Sequence, residues 1–279
     1  MKNFEVIILG SGAAGLTVAL ELASLGKKVA LLTKKDLLSG STAHAQGGIS
    51  AVIDQSDKFE SHVKDTYVAG DYYGDLDAIK YVVSNAPKAI EWLQNQGMNF
   101  TLEGGKLHLT REGGHSCRRI LHTRDATGRE LANTLIRRIK NTEITILTNW
   151  VGIDLIVEDE RCCGVKYFNL NEGTYGEVRS NFVVLATGGT NRIYPVITSN
   201  TDNYGAGIAM AVRAGVKIKN MEFHQFHPTS FFRYPFLISE SVRGEGGYLS
   251  TNGKSFMKKY DKRGDLAPRD IVTRAIVKE

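Results

Sequence analysis

Phe4-Glu5-Val6-Ile7-Ile8-Leu9-Gly10-Ser11-Gly12-Ala13-Ala14-Gly15 opens the chain, and a helical run followed by Lys28-Val29-Ala30-Leu31-Leu32-Thr33 completes a βαβ-sized window. The apolar run Val6 to Leu9 lacks in-and-out alternation, as expected of a parallel strand covered on both faces. Gly10 permits the tight turn, Gly12 lets backbone approach a pyrophosphate, and Gly15 lets the helix pack close to the strand. The phosphates then sit on unpaired N–H groups at the helix N-terminus. Ala13, Leu16, Ala19, Leu20 and Ala23 supply the apolar face of the helix, and Gly26 is its stop signal. The pattern predicts a dinucleotide-binding α/β domain of Rossmann-like architecture.

One expected part is missing. The acidic residue that usually grips the adenosine ribose at the end of the second strand is replaced by Thr33-Lys34-Lys35, and Asp36 arrives late. Two lysines at that place suit a 2′-phosphate, which points to NADPH, so the motif alone leaves FAD and NADP open.

The chain has 279 residues and 42% hydrophobic content, enough for one large core plus a substantial insertion. No apolar run is long enough to span a bilayer, and the sequence begins at once with a strand, so neither a membrane segment nor a leader is expected. The expected compartment is the cytoplasm. The net charge of +5 comes from scattered residues, densest at Arg118, Arg119 and Arg124 near His115 and His122. No nucleic-acid-binding motif accompanies it, and a basic pocket for an acidic small molecule accounts for the balance equally well. Cys117, Cys162 and Cys163 are too few and wrongly spaced for a zinc site or a disulfide framework, and they read as reduced thiols. No metal site is expected.

Further along, Ser39-Gly40-Ser41-Thr42-Ala43-His44-Ala45-Gln46-Gly47-Gly48-Ile49 is a small-residue loop without apolar period, suited to lining a cofactor. Residues Phe59 to Val68 and Leu76 to Leu93 have helical spacing, the second with Ile79, Val82, Val83, Ala86, Ile90 and Leu93 on one side and Gly97 at its end. Glu103 to Thr127 is polar and rich in Gly, His and Arg, and reads as part of a site. Thr127-Gly128-Arg129-Glu130 has the capping-box pattern for a helix running to about Lys140. The runs Ile144 to Leu147, Gly152 to Glu158, Cys163 to Asn169 and Phe182 to Ala186 suggest a β-meander inserted into the parallel fold. Ala186-Thr187-Gly188-Gly189 is a second glycine turn after a buried strand. Gly205 to Ala211 reads as a helix packed closely on a flat ring or a strand. From Met221 the character changes to Phe223, His224, Phe226, His227, Pro228, Phe231 and Phe232, so residues 1–220 and 221–279 are read as two domains.

Six motifs recur in one order: Ala45-Gln46-Gly47-Gly48, Arg111-Glu112-Gly113-Gly114-His115-Ser116, Ala186-Thr187-Gly188-Gly189, Gln225-Phe226-His227-Pro228-Thr229, Arg243-Gly244-Glu245-Gly246 and Leu266-Ala267-Pro268-Arg269-Asp270. Together they resemble the L-aspartate oxidase branch of the succinate dehydrogenase and fumarate reductase flavoprotein family, over essentially the whole chain. The resemblance implies an FAD-binding domain followed by the start of an inserted α+β capping domain. It implies FAD rather than NADP, with Lys34 beside the adenosine half, Ser11 to Ala14 under the pyrophosphate, and Ser41 to Gly48 near the flavin. Membrane-bound relatives carry a flavin-linking histidine where Ser41 stands, so the resemblance implies dissociable FAD, and His44, three positions off, is not expected to form the link.

The implied reaction is oxidation of L-aspartate to iminoaspartate, with oxygen or fumarate as acceptor, in NAD biosynthesis ahead of quinolinate synthase. A hydride leaves carbon for the flavin while a base takes a proton, and a dicarboxylate must be held by several cations and donors. By resemblance Arg269 transfers the proton with Glu240 as relay, His227 and Ser239 hold a substrate carboxylate, and Glu112 meets the α-ammonium group. Without the resemblance, Glu112 reads as an ion pair with Arg111, Arg118 or Arg119, and Arg269 as one with Asp265 or Asp270. Two departures stand out. Relatives usually carry Gly-Asp-Gly where this chain has Gly205-Ala206-Gly207, for which Asp202 or Asn203 is a possible substitute, and they are about double its length. The chain therefore reads as the N-terminal portion of such an enzyme. The alternatives are a soluble fumarate reductase and a non-catalytic remnant that keeps a nucleotide-binding shell.

Overall fold

A computed structural model describes residues 4–279 except Asp125, Phe232 and Pro235; Phe232 of the aromatic stretch thus lies outside the described residues. In chain order the elements are β1 (Phe4–Leu9), α1 (Ala13–Ser24), β2 (Val29–Thr33), β3 (Ile49–Ser50), α2 (Phe59–Ala69) and α3 (Leu76–Asn95). There follow β4 (Leu102–Glu103), β5 (Lys106–Leu107), β6 (Leu109–Thr110), β7 (Ile120–Leu121), α4 (Thr127–Ile139), β8 (Thr145–Thr148) and β9 (Trp150–Glu158). The chain closes with β10 (Arg161–Asn169), β11 (Thr174–Leu185), α5 (Ala206–Arg213), the single turn α6 (Ser241–Gly244), β12 (Ser250–Thr251), β13 (Lys254–Ser255) and α7 (Arg269–Lys278).

Two compact units result. One comprises residues 1–45 and 128–223, the other residues 46–127 and 224–279. The expected boundary near residue 220 corresponds to one of the three points where the chain changes unit. The segment 46–127 groups with the C-terminal residues and not with the first domain.

The first unit is built on a six-stranded sheet ordered β8-β2-β1-β11-β10-β9. Strands β8, β2, β1 and the C-terminal half of β11 run parallel, while β9, β10 and the N-terminal half of β11 form an antiparallel meander. Val6 to Leu9 and all five residues of β2 are buried, as continuous apolar runs covered on both faces should be. The core gathers Ile7, Leu9, Ala30 and Leu32 from the parallel strands with Val165 and Val178 from the meander and Met210 from α5. Ile144 to Leu147 differs from expectation: as β8 it pairs in parallel with β2 and is no part of the meander, because α4 returns the chain across the sheet before it. The third meander strand begins at Thr174 and continues without a break into the parallel strand, since one long strand serves both pairings.

The second unit holds the α2–α3 pair, a three-stranded sheet ordered β3-β7-β6, the β4–β5 hairpin and a C-terminal core of Phe256, Met257, Ala267, Val272 and Ala275. On α3, Val83, Ile90 and Leu93 are buried as expected, but Val82 is 66% exposed because it sits off the stripe that Val83 and Ile90 define. The expected capping box is not the pattern seen. Thr127 Oγ1 accepts from the Thr123 N–H, and Glu130 accepts from Thr134 Oγ1.

Arg119, fully buried beside β7, ties this unit together. Its Nε and Nη2 donate to the Asp57 carboxylate at 2.6 and 2.8 Å, and its Nη1 donates to Asp65 of α2 at 2.6 Å. Asp65 also accepts from the Ser116 N–H and hydroxyl. His62 of α2 packs against His115 with ring centroids 5.7 Å apart. Burial, with the Arg119 charge next, lowers both imidazoles, His62 to about 4. Between about pH 6.5 and pH 4 the unfolded chain therefore binds a proton that native His62 refuses. Stability should fall as pH drops through that window, by about 3 kcal/mol from His62 alone. Urea unfolding at stepped pH checks this, and His62→Gln should flatten the slope.

Candidate functional site

The carboxyl ends of β1, β2 and β11 open onto a cleft of about 620 Å³ in the first unit. An open parallel sheet leaves such a crevice where adjacent strands send their connections to opposite sides. At its floor, backbone approaches backbone with no room for side chains. Gly10 has φ +110°, and a Cβ there would lie 2.2 Å from the Ala186 carbonyl oxygen. A Cβ on Gly15 would lie 1.9 Å from the Gly10 oxygen. Gly12 is the N-cap of α1 and contributes no side chain, while Thr42 Oγ1 accepts from the Ala13 N–H at 2.9 Å. Ala13 and Ala14, in the first turn of α1, line the cleft.

Of the residues expected at a cofactor, Gly10, Ser11, Gly12, Ala13, Ala14, Lys34, Ser41, Thr42, Thr187, Gly188 and Asp202 line this cleft. Gly15 supports it by close packing. Ala43, His44, Ala45 and Gly189 do not line it, and Gln46, Gly47 and Gly48 belong to the other unit. Ala206 and Gly207 of α5 line the opposite wall, where a Cβ on Gly207 would meet Thr187 Oγ1 at 2.0 Å. The small-residue run at 205–211 is therefore a helix packed closely against the second glycine turn.

Within the second unit the other predicted residues converge on one carboxylate. Glu240, 4% exposed, accepts from Arg269 Nε at 2.6 Å and from Arg243 Nη2 at 2.9 Å. Gln225 Oε1 holds Arg269 Nη1 at 2.9 Å, and the Asp265 carbonyl holds Arg243 Nη1 at 2.6 Å. Asp270 is taken by Arg274, and the Asp265 side chain accepts from the Leu249 N–H, so neither is the partner of Arg269. Gly113 is required beside this cluster, since a Cβ there would lie 2.5 Å from Glu240 Oε1. Arg243 and Gln225 carry no role in the sequence reading. The signal for Arg243 was the i,i+3 spacing from Glu240, which puts both on one helical turn.

Glu112 lies against Gly47, whose missing Cβ would sit 3.3 Å from Oε1. Burial first and the Glu240 charge second push its carboxyl above the usual range, against the opposing pull of Arg269 and the Gly48 N–H. Arg118 pairs with Glu245 and Arg119 with Asp57 and Asp65, which removes two of the three arginines a simple ion pair would use. His227 Nδ1 lies 3.0 Å from the Thr229 carbonyl oxygen and 3.3 Å from its N–H, and burial and Arg269 lower its pKa. Its Nε2 is buried with no hydrogen-bond partner, as are Gln46 Oε1 and Arg111 Nε. Ser239 Oγ is 2.7 Å from Ser241 Oγ. The arrangement offers a histidine of lowered basicity, two guanidinium groups and two carboxylates, a set that can orient a dicarboxylate and move a proton. Among the described residues no three-residue group of His, Cys, Asp or Glu is arranged to hold a metal, and the three cysteines are free.

The profile described as FAD binding domain matches residues 5–279. The L-aspartate oxidase of Pseudomonas aeruginosa is 47% identical over 98% of this chain and 54% of its own length, and that of Acinetobacter baylyi is 44% identical over 98% and 53%. Among solved structures, a quinol fumarate reductase of E. coli superposes with a TM-score of 0.95 at 31% identity, covering 100% of this chain and 50% of its own. The open conformation of a flavocytochrome c3 fumarate reductase superposes with a TM-score of 0.81 at 26% identity. The chain spans about half the length of the curated relatives it matches.

Removing Glu240 leaves two guanidinium groups without their carboxylate, one of them on the buried Arg243. Glu240→Ala should destabilise the chain by about 3–5 kcal/mol, read as a lowered urea midpoint at unchanged slope.

Proposed function

The chain belongs to the FAD-binding-domain family, and from that membership we propose that it forms the flavin- and substrate-binding portion of an enzyme oxidising L-aspartate to iminoaspartate. Electrons pass on to oxygen or fumarate, and the iminoaspartate product feeds quinolinate synthase. The cleft fits a flavin dinucleotide: its floor excludes side chains at Gly10, the first turn of α1 lines it at Ala13 and Ala14 where phosphates would lie, and its walls combine small residues with apolar ones such as Trp150 and Met210. Bound there, FAD supplies the two-electron acceptor that the protein's own side chains lack. Ser41, whose hydroxyl accepts from Asn203 Nδ2 at 2.9 Å, cannot form a histidyl link, so the cofactor is held without a covalent bond.

The observation that carries the choice of substrate is Glu112. It is a partly buried carboxylate grouped electrostatically with Arg269 and Glu240, with two of its arginine neighbours in sequence engaged elsewhere. An α-ammonium group needs such an anion, whereas succinate and fumarate do not. His227 serves a substrate carboxylate through its buried, unpartnered Nε2: Nδ1, 3.0 Å from the Thr229 carbonyl oxygen, carries the proton of the neutral ring, and Nε2 donates once an incoming carboxylate draws a second proton onto the imidazole. Without such an anion, burial and the Arg269 charge hold its basicity down. Arg269 is held by Glu240 and Gln225 in one orientation, and Arg243 holds Glu240 in turn, so the guanidinium can give its Nε proton to the Glu240 carboxylate as it takes one from the substrate, and the proton passes along a fixed pair. A fumarate reductase is the second reading, favoured by the likeness to the E. coli enzyme, and Glu112 is what separates the two.

Two measurements test this. The purified chain loaded with FAD should absorb at about 450 nm, and acid precipitation should release the colour to the supernatant. Colour that stays in the pellet would contradict dissociable FAD, and no uptake of FAD at all would refute the flavin reading. Glu112→Gln should lower kcat/KM for L-aspartate by about 10- to 100-fold while leaving fumarate reduction within about threefold. Because the Glu112 carboxyl is raised, wild-type KM for aspartate should climb as pH falls toward its pKa, and the variant should lose that dependence. Equal damage to both reactions would sink the ammonium role.

A further inference from the structure

Strand β2 ends without the acid that a dinucleotide cleft normally places beside the adenosine ribose. Thr33 is engaged, its hydroxyl 2.9 Å from Ser11 Oγ. Asp36 turns into its own loop, where Oδ1 accepts from the Leu38 N–H at 2.9 Å. Among the described residues lining the cleft, one carboxylate remains, Asp202, which arrives from the segment between β11 and α5.

Its position is over-determined. Lys34 Nζ meets Asp202 Oδ1 at 3.0 Å and Lys35 Nζ meets Oδ2 at 2.6 Å. Asp202 N–H donates to Asn200 Oδ1 at 2.7 Å, Asn200 Nδ2 donates to the Ser39 carbonyl, and Asn203 Nδ2 donates to Ser41 Oγ at 2.9 Å. Residues 200–203 are thus strapped across the Ser39–Ser41 segment at the end of β2. The lysines hold the carboxyl below its usual range, so it is ionised near pH 7. Each oxygen spends one lone pair on a lysine and keeps another, and the side chain remains 25% exposed. Ala206, on the wall of α5, offers only a methyl group.

We propose that Asp202 supplies the missing ribose acid, accepting the adenosine ribose hydroxyls and rejecting a 2′-phosphate, an inference that rests on the flavin reading above. A ribose diol presents O–H donors to the two free lone pairs. A 2′-phosphate would face an anion, and the lysines that would otherwise welcome it are already engaged. The Lys34-Lys35 pair, which in the sequence suggests a 2′-phosphate site, becomes the clamp that orients a carboxylate against one.

Calorimetric titration of the FAD-free chain with ADP-ribose, its adenosine 2′-deoxy analogue and its adenosine 2′-phosphate tests the assignment. Wild type should bind ADP-ribose about tenfold or more tightly than the 2′-deoxy analogue. Asp202→Ala should erase that preference and bind the 2′-phosphate about tenfold more tightly than wild type does, with Lys34 and Lys35 released. Asp202→Asn, nearly the same shape, repeats the test if the alanine variant unfolds. No preference for the 2′-hydroxyl in a wild-type chain that binds FAD would overturn the proposal and leave the flavin reading standing. Equal weakening of all three probes in a folded variant would also overturn it, reducing Asp202 to a strap. Failure to bind FAD or any probe would fell both.

Discussion

Everything in the nucleotide-binding unit depends on one close approach, the contact of Gly10 with the Ala186 carbonyl and of Gly15 with Gly10. Three backbone segments meet there without an intervening side chain. A single Cβ at Gly10 would collide at 2.2 Å and would also have to accept a φ of +110°. The contact brings the two glycine turns together at the carboxyl ends of adjacent parallel strands, aims the N-terminus of α1 at the cleft, and sets the distance to α5. The small residues of α5 follow from it, because Gly207 must clear Thr187 on the same turn.

The other unit depends on charge rather than on close backbone. Arg119 is fully buried between two aspartates, and Glu240 is buried between two arginines. Buried ions are tolerated only when paired and hydrogen-bonded, and the pairs here satisfy most of their donors. Satisfying them determines where Arg111 to Ser116 lies, since Asp65 holds Ser116 and the Leu266 carbonyl holds the Gly114 N–H. Glu112 sits inside that segment. Burial is the first cause of its raised pKa and the nearby Glu240 carboxylate the second, with Arg269 and the Gly48 N–H offsetting part of the cost.

These two ways of holding a site suit different tasks. The glycine contacts make a rigid cradle whose ligand is recognised largely by backbone, and such a cradle accepts related dinucleotides. Discrimination then falls to the few side chains at its edge, where Asp202 and the two lysines meet. The arginine–carboxylate cluster instead presents groups that can change protonation, and buried polar atoms on Gln46, Arg111, His227 and Arg243 lack a partner. Unpaired buried polar atoms are costly to keep, and a polar ligand is one partner that would satisfy them.

The sequence by itself determined the βαβ opening, because continuous apolar runs and glycine spacing are local signals, and Val6 to Leu9 can be buried on both faces in only a few ways. It also determined the helices at 59, 76 and 127, and, through its ordered motifs, the family. It did not determine that Ile144 to Leu147 joins the parallel sheet or that Thr174 begins one long strand, because pairing partners lie far apart in the chain. Nor could it choose between an ion pair and an open carboxylate at Glu112, or between Asp270 and Glu240 as the partner of Arg269. The tertiary structure pairs Arg269 with Glu240, and it puts a carboxylate on Lys34 and Lys35 that lies more than 160 residues away in sequence, where only folding brings it.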